Sequence, residues 1–399
     1  MKKLFFVIRT WNRAEKLKIC LERLCEEIIS VSAQKECLIF VIDNYSSDNT
    51  PKLLKSLKKK YPFLDTYRTD RWYKMGEPIV LPQEIQDNLD SYTFSWGLGD
   101  DDLILKGAFS IVWNFLDTED AKNALIIHVG DANNTPHSYK IYKGTVFEFL
   151  NAMGFNQFIG WAPSCIWNRR LVKDFMENFK REEPEEFKKF EEKWILLFSQ
   201  TAFPHVLRAI YLFLEEPAVV IDYPIASPME STVSKDTAER WEKENVGWKY
   251  FLFVKVLKKM FDEGIIYKKL SPQFFKYLDN YLWNRFLTEM VAARTGVYTR
   301  NPRPDEGWDI ILMIAELIDD IAVANLIKSS VFSAKSACDA FMKYKKILEK
   351  KHLPEDIKKE IQKEAEELKK KLFKVIENTS KPLFERGWGG KSFKGEVIR

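Results

Sequence analysis

The chain has 399 residues, 46% of them apolar and 30% charged, with a formal net charge of +4 at pH 7. That length supports two domains or one large domain with an appendage; the apolar share excludes a disordered chain, and the small charge argues against nucleic acid as the main partner. Five cysteines without a CxxC pair and four dispersed histidines fit reduced thiols better than a disulfide framework or a zinc site.

Leu4 to Ile8 is a continuous apolar run, too short for a signal-peptide core and suited to a strand buried on both faces. Thr10, Trp11, Asn12 and Arg13 follow it, and Leu17, Cys20, Leu21, Leu24, Cys25 and Ile28 then recur at helical spacing. Cys37 to Ile42 reads as a second buried strand that ends in the polar stretch Asp43 to Thr50, and Lys52 to Lys60 as a second helix with Leu53, Leu54 and Leu57 inward. Alternating strand and helix predict a parallel α/β sheet, whose ligands sit beyond the carboxyl ends of the strands.

Tyr92 to Leu98 looks like another buried strand, and it runs into Asp100, Asp101 and Asp102. Three adjacent carboxylates repel one another and are costly to remove from water unless a cation balances them. Mg2+ or Mn2+ suits an all-oxygen site and keeps open positions that a diphosphate can fill. The same triplet also reads as a solvated acidic turn ahead of a helix, since Asp favours helix starts.

The three polar segments, in this order and each at a strand end, resemble the inverting family 2 glycosyltransferases of the GT-A fold over about residues 1–120. The resemblance implies a Rossmann-like, mostly parallel sheet flanked by helices. It implies that Trp11 stacks on the nucleotide base, with Thr10, Asn12 and Arg13 beside it, and that Asp43 bonds the base ring. Asp43 also fits an Asx-turn cap, and both can hold. Asp100 would approach the ribose, and Asp102, with Asp101 and Asp100 in the same triplet, would hold the metal on the diphosphate. The family's Gly-rich stretch before the triplet is missing here. Arg71 and Lys74 stand in that region as candidates for neutralising phosphate, or as solvated loop charges.

Farther on, Leu105 to Leu116 reads as a helix, Ala124 to Val129 as a strand and Val146 to Met153 as a helix. His137, in a polar loop, reads as an exposed histidine more than as a substrate contact. Trp161 is a candidate sugar platform on the acceptor side, and a core position suits it equally. The family's usual catalytic Asp is absent from the matching stretch, where His205 follows Pro204 at a helix start. His205 is therefore the candidate base that takes the acceptor proton, with Glu191 and Glu192 reading as a solvated helix face.

Residues 1–230 are expected to form the catalytic domain and residues 231–399 an α-helical C-terminal region. Its Lys- and Glu-rich helices suit self-association or, as an alternative, peripheral contact with the inner membrane face. Ile310 to Ile327 carries three acids, which argues against a membrane span, and the protein is expected to be cytoplasmic. The resemblance implies transfer of a sugar from a nucleoside diphosphate sugar to a hydroxyl of a glycan or glycolipid acceptor, in surface polysaccharide or glycolipid synthesis. A non-catalytic nucleotide-sugar-binding scaffold is the alternative from another class. A sugar nucleotidyltransferase is disfavoured because Thr10 to Arg13 lacks the glycines that such enzymes place after the first strand.

Overall fold

A computed structural model describes residues 2–73, 77, 79–133, 136–201, 203–229, 246–275, 304–348, 354–379 and 396–398. Lys74, Trp241, Trp283 and the tail from Gly387 to Lys391 lie outside the described residues. The chain divides into two compact units, one of Met1–Ser199, Arg208–Thr232 and Gly387–Arg399, the other of Gln200–Leu207 and Val233–Arg386.

The first unit opens as the apolar pattern requires. Strand β1 (Leu4–Thr10) leads into helix α1 (Ala14–Ser30), and the fully buried strand β2 (Cys37–Asp43) into helix α2 (Thr50–Lys60). Pro51 suits the first turn of α2, where its missing N–H would have no partner, and Lys58, Lys59 and Lys60 suit the negative end of the helix dipole in its last. Strand β3 (Leu64–Arg68), helix α3 (Gln83–Asp90) and strand β4 (Phe94–Gly99) follow. The strands β3, β2, β1 and β4 pair side by side, all parallel. Leu17, Leu21, Leu24 and Ile28 of α1 and Leu54 and Leu57 of α2 pack on one face of this sheet, and Leu89 and Tyr92 on the other.

Beyond β4 the sheet is mixed. The short strand β5 (Asp102–Ile104), helices α4 (Phe109–Phe115) and α5 (Glu119–Asn123), and strands β6 (Ile126–Asp131) and β7 (Ile141–Thr145) come next. Helix α6 (Val146–Met153), strand β8 (Cys165–Asn168) and helices α7 (Arg169–Glu182), α8 (Pro184–Lys189), α9 (Ile195–Ser199) and α10 (Pro204–Phe213) lead to strand β9 (Pro217–Pro228). With β10 (Glu396–Ile398) the strand order is β10-β7-β9-β6-β8-β4-β1-β2-β3, and β5 pairs with β9. Parallel pairing is thus complete in the β3-β2-β1-β4 half, while β8, β5 and β7 run antiparallel to their neighbours.

Two local expectations change. The segment after the triplet spends Asp102, Leu103 and Ile104 on a strand before α4 begins at Phe109, because β9 offers an open ladder to it. Glu27 of α1, only 4% exposed, then receives the amides of Gly107 (2.9 Å) and Phe109 (3.3 Å), capping α4 from another helix. The charged helix expected over Glu182 to Lys193 begins instead at Pro184, which takes the first helical position where its missing N–H costs nothing.

In the second unit the described helices are Val246–Asp262, Pro304–Leu317, Ile321–Leu348 and Glu355–Thr379. Lys258 bridges Asp262 and Glu316, and the amide of Leu270 bonds the carbonyl of Leu317. Among the described residues no helix is long and apolar enough to cross a membrane.

Candidate active site

The turn after β1 needs a left-handed residue, and Asn12 supplies it at φ 52°, a conformation Asn tolerates well. Its amide donates to Ser46 Oγ (2.9 Å), and its Oδ1 receives the amide of Ser47 (2.7 Å). Asn12 therefore ties the loop after β1 to the loop after β2. Asp48 adds to the tie, its carboxylate receiving the amides of Ala14 (3.1 Å) and Thr50 (2.9 Å) at the starts of α1 and α2. Two strand-end loops become one surface.

Trp11 stands on that surface with Trp72, ring centroids 5.8 Å apart and planes tilted by 52°. Asn44 fixes the segment that carries Trp72 by a reciprocal pair of bonds with the backbone of Tyr73, at 2.8 and 3.0 Å. Arg9 also donates to the Tyr73 carbonyl (3.0 Å). Arg71 lies over the Tyr73 ring and is ion-paired with Glu77, so its charge is already engaged.

Asp43 is 1% exposed, and its Oδ1 accepts the Ser46 amide at 2.9 Å, the expected turn cap. Oδ2 is buried without a hydrogen-bond partner, and the nearest guanidinium nitrogen of Arg68 is 3.8 Å away. Arg68, paired with Asp43 in the β2–β3 register, donates to the Ser46 carbonyl (2.9 Å). An orphaned carboxylate oxygen beside a held guanidinium calls for a ligand N–H. Sequence reasoning missed Arg68, although its place at the end of a parallel strand was the available signal.

The aspartate triplet divides its labour. Asp100 accepts Thr10 Oγ1 (2.7 Å) on one oxygen and Arg13 (2.8 Å) on the other, and Arg13 also reaches Asp101 (3.0 Å). Asp102 turns inward, its Oδ2 receiving the Gly99 amide at 2.6 Å, and the nearby Trp161 side chain favours its charged form. Burial lifts the Asp102 carboxyl to about 7 against the Gly99 amide, with Asp101 and Asp100 pushing the same way. Burial lifts Asp100 too, despite Arg13 and Thr10. Among the described residues the ion pairs go to Asp100 and Asp101, and none to Asp102.

No group of three His, Cys, Asp or Glu among the described residues forms a ready metal cage. The donor set still fits a hard divalent ion, because such an ion takes one or two carboxylates together with substrate phosphates. Asp101, 29% exposed, and Asp102, which has no ion pair among the described residues, are the two that suit it; both oxygens of Asp100 are already engaged. Trp161 is thereby joined to the triplet, partly buried against the main core.

Gly99 has a steric reason to be glycine. A Cβ there would lie 2.4 Å from Asp102 Oδ2 and 3.1 Å from Asp101 Oδ1. Gly99→Ala is expected to destabilise the protein by about 1–3 kcal/mol and to push Asp102 off the Gly99 amide, which thermal unfolding checks.

His137 differs from the exposed loop residue expected. Its side chain is 4% exposed, and Nδ1 lies 3.0 Å from Asp222 Oδ1. Asp222 also receives the Ser138 amide (2.8 Å), so a buried carboxylate on β9 draws the loop inward. His205 is exposed at the start of α10, its ring 6.3 Å from that of Phe203, and is grouped with the second unit.

No curated protein matches the sequence. Among solved structures, TarS of S. aureus is similar at 16% identity and a TM-score of 0.38, over 82% of this chain and 55% of that one. The chain thus spans about half the length of TarS. The mannosyltransferase PcManGT of Pyrobaculum calidifontis, solved with GDP-Man and Mn2+, is 11% identical at a TM-score of 0.41, over 95% of this chain and 86% of that one. The family model for glycosyl transferase family 2 matches residues 5–76, the stretch that holds Trp11, Asn12, Arg13 and Asp43. Over that segment the chain is similar to glycosyl transferase family 2.

Proposed function

We propose that the chain transfers a sugar from a uridine diphosphate sugar to a hydroxyl acceptor, with inversion at the anomeric carbon and with a divalent ion on the diphosphate. The observation that supports this reading is the juxtaposition, at one carboxyl edge of the sheet, of an unbonded buried oxygen on Asp43 and a buried Asp102 carboxyl with no ion pair among the described residues.

Each residue then has a physical task. Trp11 offers a π face for the base, held at its angle by Trp72. Asp43 Oδ2 accepts one ring N–H, and Arg68 donates to a carbonyl beside it. Uracil presents that pair, N3–H flanked by carbonyls. Guanine adds an exocyclic amine that would need a second acceptor, and Asp43 Oδ1 is already engaged with Ser46. Thr10 and Arg13 orient Asp100 toward the ribose side, while Asp101 and Asp102 hold the metal. A bound divalent ion would supply charge to the departing diphosphate.

Thermal-shift titration with nucleoside diphosphates and Mn2+ tests the reading. UDP is expected to stabilise the protein, with at least about tenfold tighter binding than GDP, the scale of one buried polar mismatch. Equal shifts with UDP and GDP would remove the uridine assignment. A scaffold is distinguished by binding UDP without releasing it from any UDP-sugar.

A further inference from the structure

An inverting transfer needs a group that takes the acceptor hydroxyl proton, and the sheet register singles out one carboxylate for this task. Strand β9 bends along its length, pairing with β6 on one side and, at its carboxyl end, with β5 on the other. Ala226 of β9 is the shared rung: Ile104 of β5 is its partner on one side and Asp131 of β6 on the other. Asp102 is paired with Pro228, two residues farther along β9.

Partners on one rung project to the same face, and so do residues two apart on a strand. Ile104, Ala226 and Val129 all project into the main core, so Asp131 and Asp102 stand at the rim of that same face. They flank β9, separated by about 10 Å across the two strand spacings and about 7 Å along them. That span accommodates the anomeric carbon of a sugar whose diphosphate rests at Asp102. The register shifts at Gly130 and Asp131 put extra residues of β9 against β6, and Ile225 and Ala226 both stay in the main core opposite Asp131.

Resting on the donor reading above, we propose that Asp131 is the catalytic base, the carboxylate that receives the acceptor hydroxyl proton, in place of His205. The acceptor oxygen forms a bond to C1 as the bond from C1 to the diphosphate oxygen breaks. The electron pair leaves with the diphosphate, and the hydroxyl proton passes to an Asp131 oxygen and later to solvent. Two observations agree with this role. Asp131 is half-buried, which lifts its carboxyl above the ordinary range against the Asn133 amide and His137. Its Oδ1 is oriented by the Asn133 amide at 2.9 Å.

Water serves as the acceptor in a test that needs no knowledge of the natural one. Wild type and the variants Asp131→Asn, Asp131→Glu and His205→Ala are incubated with UDP-glucose, UDP-galactose and UDP-N-acetylglucosamine in Mn2+, and UDP release is measured beside the thermal shift given by UDP. Asp131→Asn is expected to lower release by about 100-fold or more while the UDP shift stays at the wild-type value. Asp131→Glu is expected to restore part of the rate. Release within about threefold of wild type in Asp131→Asn, loss of its UDP shift, or a collapse in His205→Ala alone overturns the assignment. A wild-type protein with neither a UDP shift nor UDP release overturns the donor reading itself, an outcome distinct from the others.

Discussion

The Asp102→Asn protein is expected to be more stable than wild type at pH 8 and to have lost the Mn2+-dependent part of its response to UDP. The two effects have one cause. Asp102 is 5% exposed, has no ion pair among the described residues and lies beside two other carboxylates. Burial first, and Asp101 and Asp100 next, lift its carboxyl from 3.8 to about 7. A carboxyl raised in the folded state costs stability above the folded value and costs nothing below the unfolded one. Between about pH 4 and 7 the folded protein binds the extra proton, so the penalty grows as pH rises and reaches about 4 kcal/mol above pH 7.

An Asn side chain keeps an oxygen for the Gly99 amide and removes the charge. Urea unfolding at pH 8 should therefore show a gain of up to about 4 kcal/mol, shrinking toward zero near pH 4. UDP titrations with and without Mn2+ should coincide in the variant and diverge in wild type. A variant that is less stable at pH 8, or that keeps the Mn2+ effect, would remove Asp102 from the site.

Acid sensitivity is the second large effect, and it comes from His128. This residue lies on β6 at 2% exposure, with Nδ1 2.8 Å from the carbonyl of Phe158. Burial drives its pKa from 6.5 down to about 4, outweighing the Phe158 carbonyl and Asp222. The folded state therefore holds the neutral ring while an unfolded chain protonates it near pH 6.5. The stability tied to this group is complete above pH 6.5 and is lost as pH falls toward 4, to a total of about 3 kcal/mol.

His128→Gln retains a donor for the Phe158 carbonyl and has nothing to titrate. Between pH 7.5 and 5, wild type should lose about 2 kcal/mol more than the variant in urea unfolding. Parallel pH slopes for the two proteins would show that His128 is not the acid-labile element. Asp102 works in the opposite direction over the same interval, so the difference between the two proteins carries the result.

The parallel half of the sheet was legible because its information is local. Phe5, Phe6, Val41 and Ile42 sit in unbroken apolar runs, and only a strand covered on both faces takes such runs; the polar turns after them fell at the carboxyl ends. Thr10, Trp11, Asn12, Arg13 and Asp43 were singled out in this way, and the structure joins the two loops that follow β1 and β2. The triplet was legible as a charge problem, since three consecutive carboxylates need compensation wherever they stand. Part of the compensation turned out to be Arg13, which sequence reading had assigned to the nucleotide.

What the chain order alone determined is the alternation of strand and helix in the first half, the helices described in the second and the concentration of negative charge at a strand end. Tertiary structure decided which groups share that charge, because ladder register and burial join residues far apart in sequence. Arg68 meets Asp43 across β2 and β3, and Asp131 reaches the face of Asp102 across β9. His137 reads as a loop residue until Asp222 draws it inward. No periodicity records such pairings, since each is a product of strands folded together and of the cost of leaving a buried charge alone.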